Sequence, residues 1–295
     1  MSAPEKLGPY RILARVGAGG MAEVFAAMRF GASGFSKRVA IKVLAEEHAD
    51  DAELQKLLIA EAKLGAAMSH PNLVGVSDLG VDAGRYYVVM DLIEGADVGR
   101  LLAARRPGEA LALYVVDRVA AALGYLHAFR DESGRSLGLV HRDVSPANVL
   151  VSNTGEVKLA DYGIAKATHA ASQTQGRVVR GKYAYLSPEQ IAGDPVSAKS
   201  DQFALGVMMI ELVTGRRPFD GASAVETMDR IREGVASRLD ALPGDLLELA
   251  TRCLAVDPRL RWPDMAAVRE RLQEARRARA AVGSAELARW VLASA

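Results

Sequence analysis

Three side chains with oxygen atoms flank a short predicted hairpin in the middle of the chain: Asp143, Asn148 and Asp161. The hairpin turns near Thr154, and we expect antiparallel pairing to place Asn148 opposite Asp161. Cross-strand neighbours lie about 5 Å apart, and two oxygen ligands at the open end of a hairpin suit a hard cation such as Mg²⁺. Asp143 precedes Asn148 closely enough to orient a nucleophile. The alternative is a polar loop beside a hairpin, without chemistry.

A lysine in a predicted strand and a glutamate in a predicted helix form a second candidate pair. Within Val39–Leu44, residue alternation places Lys42 on the face that carries Ala40. Glu61 lies within the apolar stripe of its helix, where a carboxylate is costly unless it is paired. We therefore expect a Lys42–Glu61 ion pair that leaves the lysine able to hold phosphates. The alternative is a glutamate whose carboxylate reaches solvent.

A glycine-rich segment lies between the first two predicted strands. Its residues are Val16, Gly17, Ala18, Gly19, Gly20, Met21, Ala22, Glu23 and Val24. Glycines let a backbone bend closely over a ligand and direct N–H groups at phosphates. No helix follows, so the segment does not match a dinucleotide-binding βαβ unit. An ordinary glycine-rich hairpin is the alternative.

The elements that must position these groups divide the chain into two parts. The first part favours short apolar strands and one helix. Its predicted strands are Tyr10–Val16, Met21–Met28, Arg38–Leu44, Leu73–Asp78 and Arg85–Met90, and its helix is Asp51–Met68. From Asp97 onward helical periodicity dominates. The predicted helices there are Ala110–Ala128, Ser200–Thr214, Ala224–Glu233, Asp245–Ala255 and Asp264–Ala280. This order indicates an α+β fold rather than a βαβ repeat.

Composition limits the classes of protein that fit. The 295 residues allow two folding units, at about 150 residues for each. A net charge of +1 argues against a polycationic nucleic-acid binder. The single cysteine, Cys253, excludes an internal disulfide and fits a cytoplasmic location. The most apolar long segment, Leu111–Phe129, contains Asp117 and Arg118, and the first residues lack the apolar stretch of a secretory signal.

Taken in order, these motifs resemble those of the bacterial eukaryotic-like (Hanks-type) Ser/Thr protein kinases, from about Tyr10 to Leu272. The matching residues are Gly17–Val24, Lys42, Glu61, His141-Arg142-Asp143, Asn148, Asp161-Tyr162-Gly163 and Ser187-Pro188-Glu189. The resemblance implies a bilobal protein-kinase-like fold, with a strand-rich N-lobe that has one main helix and a helical C-lobe. It implies a kinase domain over residues 10–275 (N-lobe 10–92, C-lobe 93–275), an extension at 1–9 and a tail at 276–295 that could be helical.

The resemblance also implies a role for each matching residue, with ATP and Mg²⁺ as cofactors and Mn²⁺ as an alternative metal. The glycine-rich segment covers ATP, Lys42 contacts its α- and β-phosphates, and Glu61 holds the lysine. Asp143 accepts the proton of the substrate hydroxyl, while Asn148 and Asp161 hold the metal. The other implied groups are Ala40 and Met90 beside adenine, Asp91 and Ile93 as hinge hydrogen-bonding groups, Asp97 at the ribose, a structural Glu189–Arg261 pair, and Asp201 as a brace for the catalytic loop.

Four residues depart from the family pattern. Ala22 replaces the third glycine of the lid, and Tyr162 replaces the usual Phe. Ser145 stands where a lysine normally neutralises the transferred phosphate, and Lys182 stands where a threonine is usual. We expect Lys182 to restore the cation that Ser145 removes, which makes it a candidate catalytic residue. The alternative is a Lys182 that faces solvent and a slower enzyme.

The segment between Asp161 and Glu189 is expected to carry regulation. Arg142 precedes the catalytic aspartate, and in related kinases such an arginine binds a phosphate on this segment. We predict autophosphorylation at Ser172 and Thr174, which lie near further arginines. The alternative is a polar loop whose hydroxyls have no special role.

The resulting function is transfer of the γ-phosphate of Mg·ATP to Ser or Thr hydroxyls of proteins, including other copies of the chain. A nucleotide-binding pseudokinase that acts as a signalling scaffold is the main alternative, and Ser145 is its best support. A small-molecule kinase and a tyrosine kinase fit less well. We expect no nucleic-acid partner and no membrane segment in this chain, and we interpret the arginines from Arg269 to Arg279 as a solvated helix face.

Overall fold

A computed structural model describes residues 5–18, 21–161 and 182–294. Contacts divide the described chain into two compact units. The first takes in the chain up to His70 together with Val74–Ile93, and the second takes in Pro71–Leu73 and the described residues from Glu94 onward. The fold is α+β, with the strands concentrated in the first unit and the helices in the second.

The first unit is an antiparallel sheet of six strands, in the order β1-β2-β3-β4-β6-β5. The strands are β1 (Lys6–Leu7), β2 (Tyr10–Ala18), β3 (Ala22–Phe30), β4 (Ser36–Leu44), β5 (Val76–Asp82) and β6 (Arg85–Met90). Alternation along β4 sends Val39, Ile41 and Val43 into one buried cluster, as the sequence pattern predicts. Leu44 packs instead with the helix on the other face.

That helix, α1 (Ala52–Ala67), starts where the sequence supplies a cap. The Asp51 carboxylate accepts the N–H groups of Glu53 and Leu54, which lack partners within the helix. Leu54 and Leu58 then pack with Leu44 of the sheet. Burial of this apolar stripe fixes the rotation of α1, and therefore the direction in which its remaining side chains project.

The second unit has a three-stranded sheet and eight helices within its described residues. The strands are β7 (Gly95–Asp97), β8 (Val149–Ser152) and β9 (Val157–Leu159), in the order β7-β8-β9. The helices are α2 (Val98–Ala104), α3 (Glu109–Ala128), α4 (Pro188–Ala192), α5 (Ala198–Thr214), α6 (Ala224–Glu233), α7 (Gly244–Cys253), α8 (Met265–Arg277) and α9 (Ser284–Ser294). The core of the unit is α5, which is buried on all sides and packs against α3 and α7.

One predicted strand begins later in the structure than in the sequence analysis. The prediction Leu73–Asp78 is wrong for its first residues, because β5 begins at Val76. Leu73 belongs to the second unit, where it forms a parallel bridge to Leu159 of β9. Its neighbour Asn72 is held there as well, since its side chain donates to the carbonyl of Val157. The predicted strand therefore contains the boundary between the two units: Leu73 belongs to the second unit, and the residues from Val74 onward belong to the first.

Helix α3 is long and apolar enough to cross a membrane, and is alone in this among the described residues. More than half of that apolar stretch is buried within the protein. Its Asp117 is fully buried and pairs with Arg269 and Arg276 of α8 and with the adjacent Arg118. A buried carboxylate with three guanidinium partners is typical of a core helix of a folded unit.

These pairs correct the interpretation of the α8 arginines as a solvated face. Arg269 and Arg276 neutralise Asp117, and Arg279 pairs with Glu109 and Asp245. The prediction is wrong for Arg269 and Arg276 because α8 packs along α3, which carries the buried Asp117. It is wrong for Arg279, just after α8, because this side chain reaches acids of α3 and α7. These three arginines therefore link helices of the second unit through ion pairs.

The tail helix α9 packs onto the second unit. Leu287, Trp290 and Val291 are buried, and the Trp290 indole N–H donates to the carbonyl of Arg105. Ser284 sits against the β8–β9 turn so closely that a Cβ at Gly155 would lie 1.8 Å from its carbonyl oxygen. Gly155 also has φ +81°, so only glycine fits this contact.

Candidate active site

The structure brings Lys42 and Glu61 together in the first unit. Lys42 Nζ lies 2.8 Å from Glu61 Oε1, and the two side chains are 14% and 12% exposed. Lys42 lies on β4 between Val24 of β3 and Val88 of β6, so the sheet fixes its position on both sides. A pair this dry must be well aligned to be stable, because both charges have lost most of their water.

The glycine-rich segment lies where β2 ends and β3 begins. Gly17 pairs with Val24 and Ala18 with Glu23, and the predicted residues Gly19 and Gly20 lie outside the described part of the chain. A Cβ at Gly17 would meet Val24 at 3.5 Å, an ordinary contact, so packing within the unit does not require glycine there. Val16 and Met21 are each 46% exposed.

The groups assigned to adenine lie in the same sheet. Ala40 of β4 and Met90 of β6 are directly paired, which places their side chains as neighbours. Asp91 is fixed just beyond β6, because its N–H donates to the Gly75 carbonyl at 2.9 Å and its carboxylate accepts the Gly75 N–H at 3.1 Å. Ile93 is the last of the described residues that belong to this unit.

In the second unit, Asp97 has a structural function that the sequence analysis missed. Its carboxylate caps α2 by accepting the Arg100 N–H at 2.9 Å, and it also pairs with the Arg100 side chain at 3.1 Å. If Asp97 also contacts a ribose, its carboxylate must do so while it still caps the first turn of α2.

The catalytic-loop motif is held by one buried carboxylate, as its predicted brace requires. Asp201, 1% exposed, accepts the N–H groups of His141 and Arg142, each at 2.8 Å. His127 Nε2 lies 2.7 Å from the same carboxylate. Arg142 has φ +67°, a left-handed conformation that costs a non-glycine residue on the order of 1 kcal/mol or more. Asp143 follows directly, so this turn sets the direction of its side chain.

His141 completes the loop as a neutral ring. Its Nδ1 accepts the Asp143 N–H at 3.3 Å, which leaves the proton on Nε2, 3.1 Å from the Ala160 carbonyl. Burial lowers the pKa of His141, and the carboxylates of Asp201 and Asp143 oppose that effect without cancelling it. The imidazole therefore acts as a fixed link between the loop and the residue before Asp161.

Asn148 and Asp161 lie near each other, but their predicted pairing is wrong by one residue. Val149 pairs with Leu159, and the Ala160 N–H donates to the Asn148 carbonyl, so Asn148 faces Ala160. Asp161 comes one residue later and leaves the strand with φ +58°. A turn centred on Thr154 pairs Asn148 with Ala160. The expected pairing with Asp161 was therefore one residue too far along the chain.

The donor chemistry of this pair fits a small hard cation. The Asn148 amide nitrogen donates to the Asp143 carbonyl at 2.7 Å, so Oδ1 is the Asn148 side-chain atom that could face a metal. An amide oxygen and a carboxylate are ligands that Mg²⁺ accepts when water and phosphates complete its shell. The described residues contain no group of three His, Cys, Asp or Glu side chains that could hold a metal unaided.

Ser145 occupies a buried position in the same loop. It is 3% exposed, and its hydroxyl has no hydrogen-bond partner among the residues that the structure describes. Lys182 begins the short 3₁₀ turn Lys182–Tyr185, but its side chain lies outside the description. Tyr162, Ser172 and Thr174 likewise fall in the stretch that is not described.

Glu189 and Arg261 form the predicted structural pair. Two parallel hydrogen bonds of 2.7 and 2.9 Å join them, and the arginine side chain is fully buried. Burial alone would raise the pKa of Glu189, but hydrogen bonds from Arg261 and Ser200 outweigh it and hold the pKa below its usual value. The link ties α4 to the chain just before α8.

Two contacts of the loop had only partial sequence signals. His127 lies one helical turn after the buried Leu123, so its stripe on α3 could have indicated a buried histidine. Gln190 reaches the Arg142 carbonyl at 3.1 Å while it also completes the capping box of Ser187 on α4. The capping box can be recognised in the sequence, but the link to Arg142 cannot, because the two residues are far apart along the chain.

Comparisons with known proteins show which proteins this chain resembles as a whole. The family described as "Protein kinase domain" matches residues 10–272. The tyrosine-protein kinase MasK of Myxococcus xanthus is 36% identical over 276 residues, which cover 90% of this chain and 43% of MasK. The serine/threonine-protein kinases PrkC of Bacillus subtilis and PknA of Mycobacterium tuberculosis are 37% and 36% identical, over 74% and 86% of this chain.

Among solved structures, the PknI kinase domain of Mycobacterium tuberculosis superposes with a TM-score of 0.65 and 27% identity. The match covers 93% of this chain and 99% of that domain. The curated relatives are longer: the chain spans 43% of MasK, 32% of PrkC and 58% of PknA.

The neutral state of His141 predicts a pH dependence of stability. Its pKa is lowered in the folded protein, so below about pH 6.5 the unfolded chain binds a proton that the folded chain does not. Unfolding free energy should therefore fall with pH below 6.5, by at most about 1.4 kcal/mol per unit from this residue.

Urea unfolding of wild type and His141→Asn at pH 7.0, 6.0 and 5.0 measures this effect. The slope should be smaller in the variant, whereas the control His48→Asn, which removes a histidine of a surface turn, should keep the wild-type slope. Equal slopes in all three proteins would show that His141 is not held neutral.

Proposed function

Because the chain belongs to the protein kinase family, we propose that it transfers the γ-phosphate of Mg·ATP to hydroxyl groups of proteins, with Ser and Thr as the preferred acceptors. The observation that carries this proposal is the loop in which Asp201 fixes the turn before Asp143 while Asn148 bonds the Asp143 carbonyl. A general base and a metal ligand are thus held by one hydrogen-bonded structure. The fold supplies orientation, which is most of what phosphoryl transfer requires.

In the proposed reaction, Asp143 accepts the proton of the acceptor hydroxyl. The hydroxyl oxygen forms a bond to the γ-phosphorus, the bond from that phosphorus to the β–γ bridging oxygen breaks, and ADP leaves. A bound divalent cation supplies charge neutralisation for the phosphates, and Asn148 Oδ1 and the Asp161 carboxylate are the ligands proposed for it. Mg²⁺ is the expected metal and Mn²⁺ an alternative.

The first unit supplies the groups that we assign to ATP binding. Lys42, held by Glu61 at 2.8 Å, would bind the α- and β-phosphates, and the segment Val16–Val24 would cover them. Ala40 and Met90 would contact adenine, with the Asp91 carbonyl and the Ile93 N–H as its hydrogen-bonding partners. Among these assignments, the neighbouring positions of Ala40 and Met90 and the buried ion pair are what the fold supports most directly.

An active enzyme is favoured over a pseudokinase. Lys42, Asp143, Asn148 and Asp161 are all present, and the contacts that position the loop are intact. The acceptor residue is less constrained, since relatives named as tyrosine and as serine/threonine kinases match at similar identity. We favour Ser and Thr because the tyrosine-kinase form of the catalytic loop is absent from residues 141–148.

We further propose residues 10–275 as the catalytic domain and the cytoplasm as its location. The buried, free Cys253 fits a compartment that keeps thiols reduced and contains ATP. We also propose that other copies of the chain are substrates, with phosphorylation at Ser172 and Thr174. Arg142 would then bind the phosphate through charge-assisted hydrogen bonds.

Phosphotransfer from labelled ATP with Mg²⁺ to a generic basic protein tests the proposed reaction. Asp143→Ala should lower the rate by about 10²–10⁴-fold, because the general base is lost. Lys42→Met should also be strongly impaired, whereas Lys56→Met should be as active as wild type, since the Lys56–Glu53 pair of α1 is 71% and 66% exposed. Peptide mapping of the wild type should find phosphate within residues 168–174.

Equal labelling by wild type and Asp143→Ala would contradict the assignment of Asp143. No labelling by either protein would favour the pseudokinase. Label on tyrosine alone would overturn the acceptor preference, and a phosphate-free stretch 168–174 would overturn the proposed autophosphorylation sites.

We also propose that Lys182 replaces the usual catalytic-loop lysine, because Ser145 is buried and its hydroxyl has no hydrogen-bond partner among the described residues. Lys182→Ala should lower kcat by about 10²–10³-fold, because it removes a cation near the transferred phosphate. Adding Ser145→Lys to Lys182→Ala should recover at least part of that loss, since the new lysine supplies the missing charge from the loop. Steady-state kinetics of the two single variants and the double variant measure both effects, with thermal unfolding as a check on folding.

The exposed residue Lys56 provides the matched control through Lys56→Ala. If Lys182→Ala is as active as Lys56→Ala, Lys182 has no catalytic role. If the double variant with Ser145→Lys and Lys182→Ala folds normally but is no more active than Lys182→Ala, a lysine at position 145 does not replace Lys182.

A further inference from the structure

A depression of about 650 Å³ opens beside the C-terminal end of α5, in the second unit. Its walls are the loop after α5, one side chain of α6 and the loop that follows α6. The charged residues of its lining are Arg216, Arg217, Arg230, Arg238, Asp220 and Asp240. With four arginines against two aspartates, this arginine cavity carries an excess of positive charge.

Two of the four guanidinium groups are already neutralised. Arg217 lies 2.8 Å from Asp220. Arg230 pairs with Glu226 at 2.7 Å and also donates to the Asp220 carbonyl at 2.8 Å. These contacts hold both side chains against the wall of the cavity.

The guanidinium groups of Arg216 and Arg238 carry positive charge that no described side chain neutralises. Arg216 and Arg238 are exposed, and within the described part of the chain neither has an ion-pair or hydrogen-bond partner for its side chain. Asp240 is the remaining carboxylate of the lining and is exposed as well. Two planar, charged forks around one concave surface are suited to carboxylates, which each can bind through two hydrogen bonds.

The cavity is a built feature of the fold. The loop after α6 is fastened to the loop after α5 because Ser237 donates to the Pro218 carbonyl from both its N–H (2.7 Å) and its hydroxyl (2.8 Å). Next to Pro218, the fully buried Phe219 stacks on Phe203 of α5 at 5.6 Å. The two arginines are therefore presented by loops that are anchored to the core.

Direct contacts connect this cavity to the catalytic loop within the same unit. Arg217 adjoins Glu211 and Tyr185, which bond to each other through the tyrosine hydroxyl. The chain continues from Tyr185 into α4, where Gln190 donates to the Arg142 carbonyl. A ligand of the cavity would thus bind on the same unit as the general base, beside the segment that leads to it.

We propose that the arginine cavity binds an acidic segment of the protein substrate, through its Asp and Glu side chains, and gives the enzyme a preference for acidic substrates. This inference rests on the proposed kinase function. A protein segment is favoured over a nucleic acid because the lining contains no aromatic side chain on which a base could stack.

The test uses two acceptor peptides that differ only in a flanking run of four Glu or four Gln residues. Wild type should have a higher kcat/KM for the Glu peptide, and Arg216→Ala/Arg238→Ala should reduce the Glu-to-Gln ratio about tenfold. The matched control is Arg232→Ala on α6, a surface arginine paired with Asp229 outside the cavity. It should keep the wild-type ratio.

Fluorescence anisotropy of the labelled Glu peptide without ATP separates this inference from the proposed function. Binding that weakens about tenfold in the double variant supports the cavity even if no phosphate is transferred. Equal ratios for wild type and the double variant, with both folded by thermal unfolding, would overturn the proposal. Displacement of the peptide by an oligothymidylate but not by poly-glutamate would also overturn it, in favour of a nucleic acid.

A third peptide with phosphoserine in place of the Glu residues distinguishes the two sources of negative charge. Equal or weaker binding than that of the Glu peptide supports recognition of carboxylates. Binding at least tenfold tighter, and lost in the double variant, would overturn the carboxylate assignment and identify the cavity as a phosphate site.

Discussion

The position of the catalytic loop depends on one buried carboxylate. Asp201 accepts two consecutive backbone N–H groups, those of His141 and Arg142, and contacts His127 as well. Without it, the N–H groups of a buried loop would lack acceptors, at a cost of about 1–3 kcal/mol each. The same bonds stabilise the left-handed turn at Arg142, from which Asp143 projects. A helix buried on every side carries this carboxylate, so the core of the unit determines the direction of Asp143, the residue that we propose as the general base.

Near that helix, buried ion pairs hold neighbouring segments of the unit in one arrangement. Arg261 is fully buried and satisfied by Glu189 and by the carbonyls of Ala255, Val256 and Lys199. Asp117 is equally buried among three arginines. Such pairs add little net stability compared with apolar packing, but removal of one partner leaves a buried charge and costs several kcal/mol. They therefore restrict the helices to one arrangement. In the first unit, Lys42–Glu61 does the same for β4 and α1.

Parts of this structure could be derived from residue patterns. The apolar stripe of α1 predicted that Glu61 faces inward, and alternation in β4 predicted the cluster of Val39, Ile41 and Val43; both hold in the structure. The α8 arginines were misinterpreted because their partner Asp117 lies on a distant helix. The arginine cavity had no sequence signal, since it exists only where Ser237 closes one loop onto Pro218. Patterns of period two or 3.6 indicate which face is buried, but contacts between distant segments are determined by packing.

The most direct test of the claim that Asp201 positions the catalytic loop is the kinetics of Asp201→Asn, combined with hydrogen exchange of residues 141–143. An amide keeps the size of the carboxylate but presents an N–H to one of the two loop N–H groups, so one hydrogen bond is lost. We expect faster exchange in this loop and a kcat lowered on the order of 10²-fold, since small misplacements of reacting groups have effects of that size. KM for ATP should remain within about twofold of wild type, because Lys42 and Glu61 are unaffected. A folded variant with wild-type kcat and unchanged exchange would contradict the account.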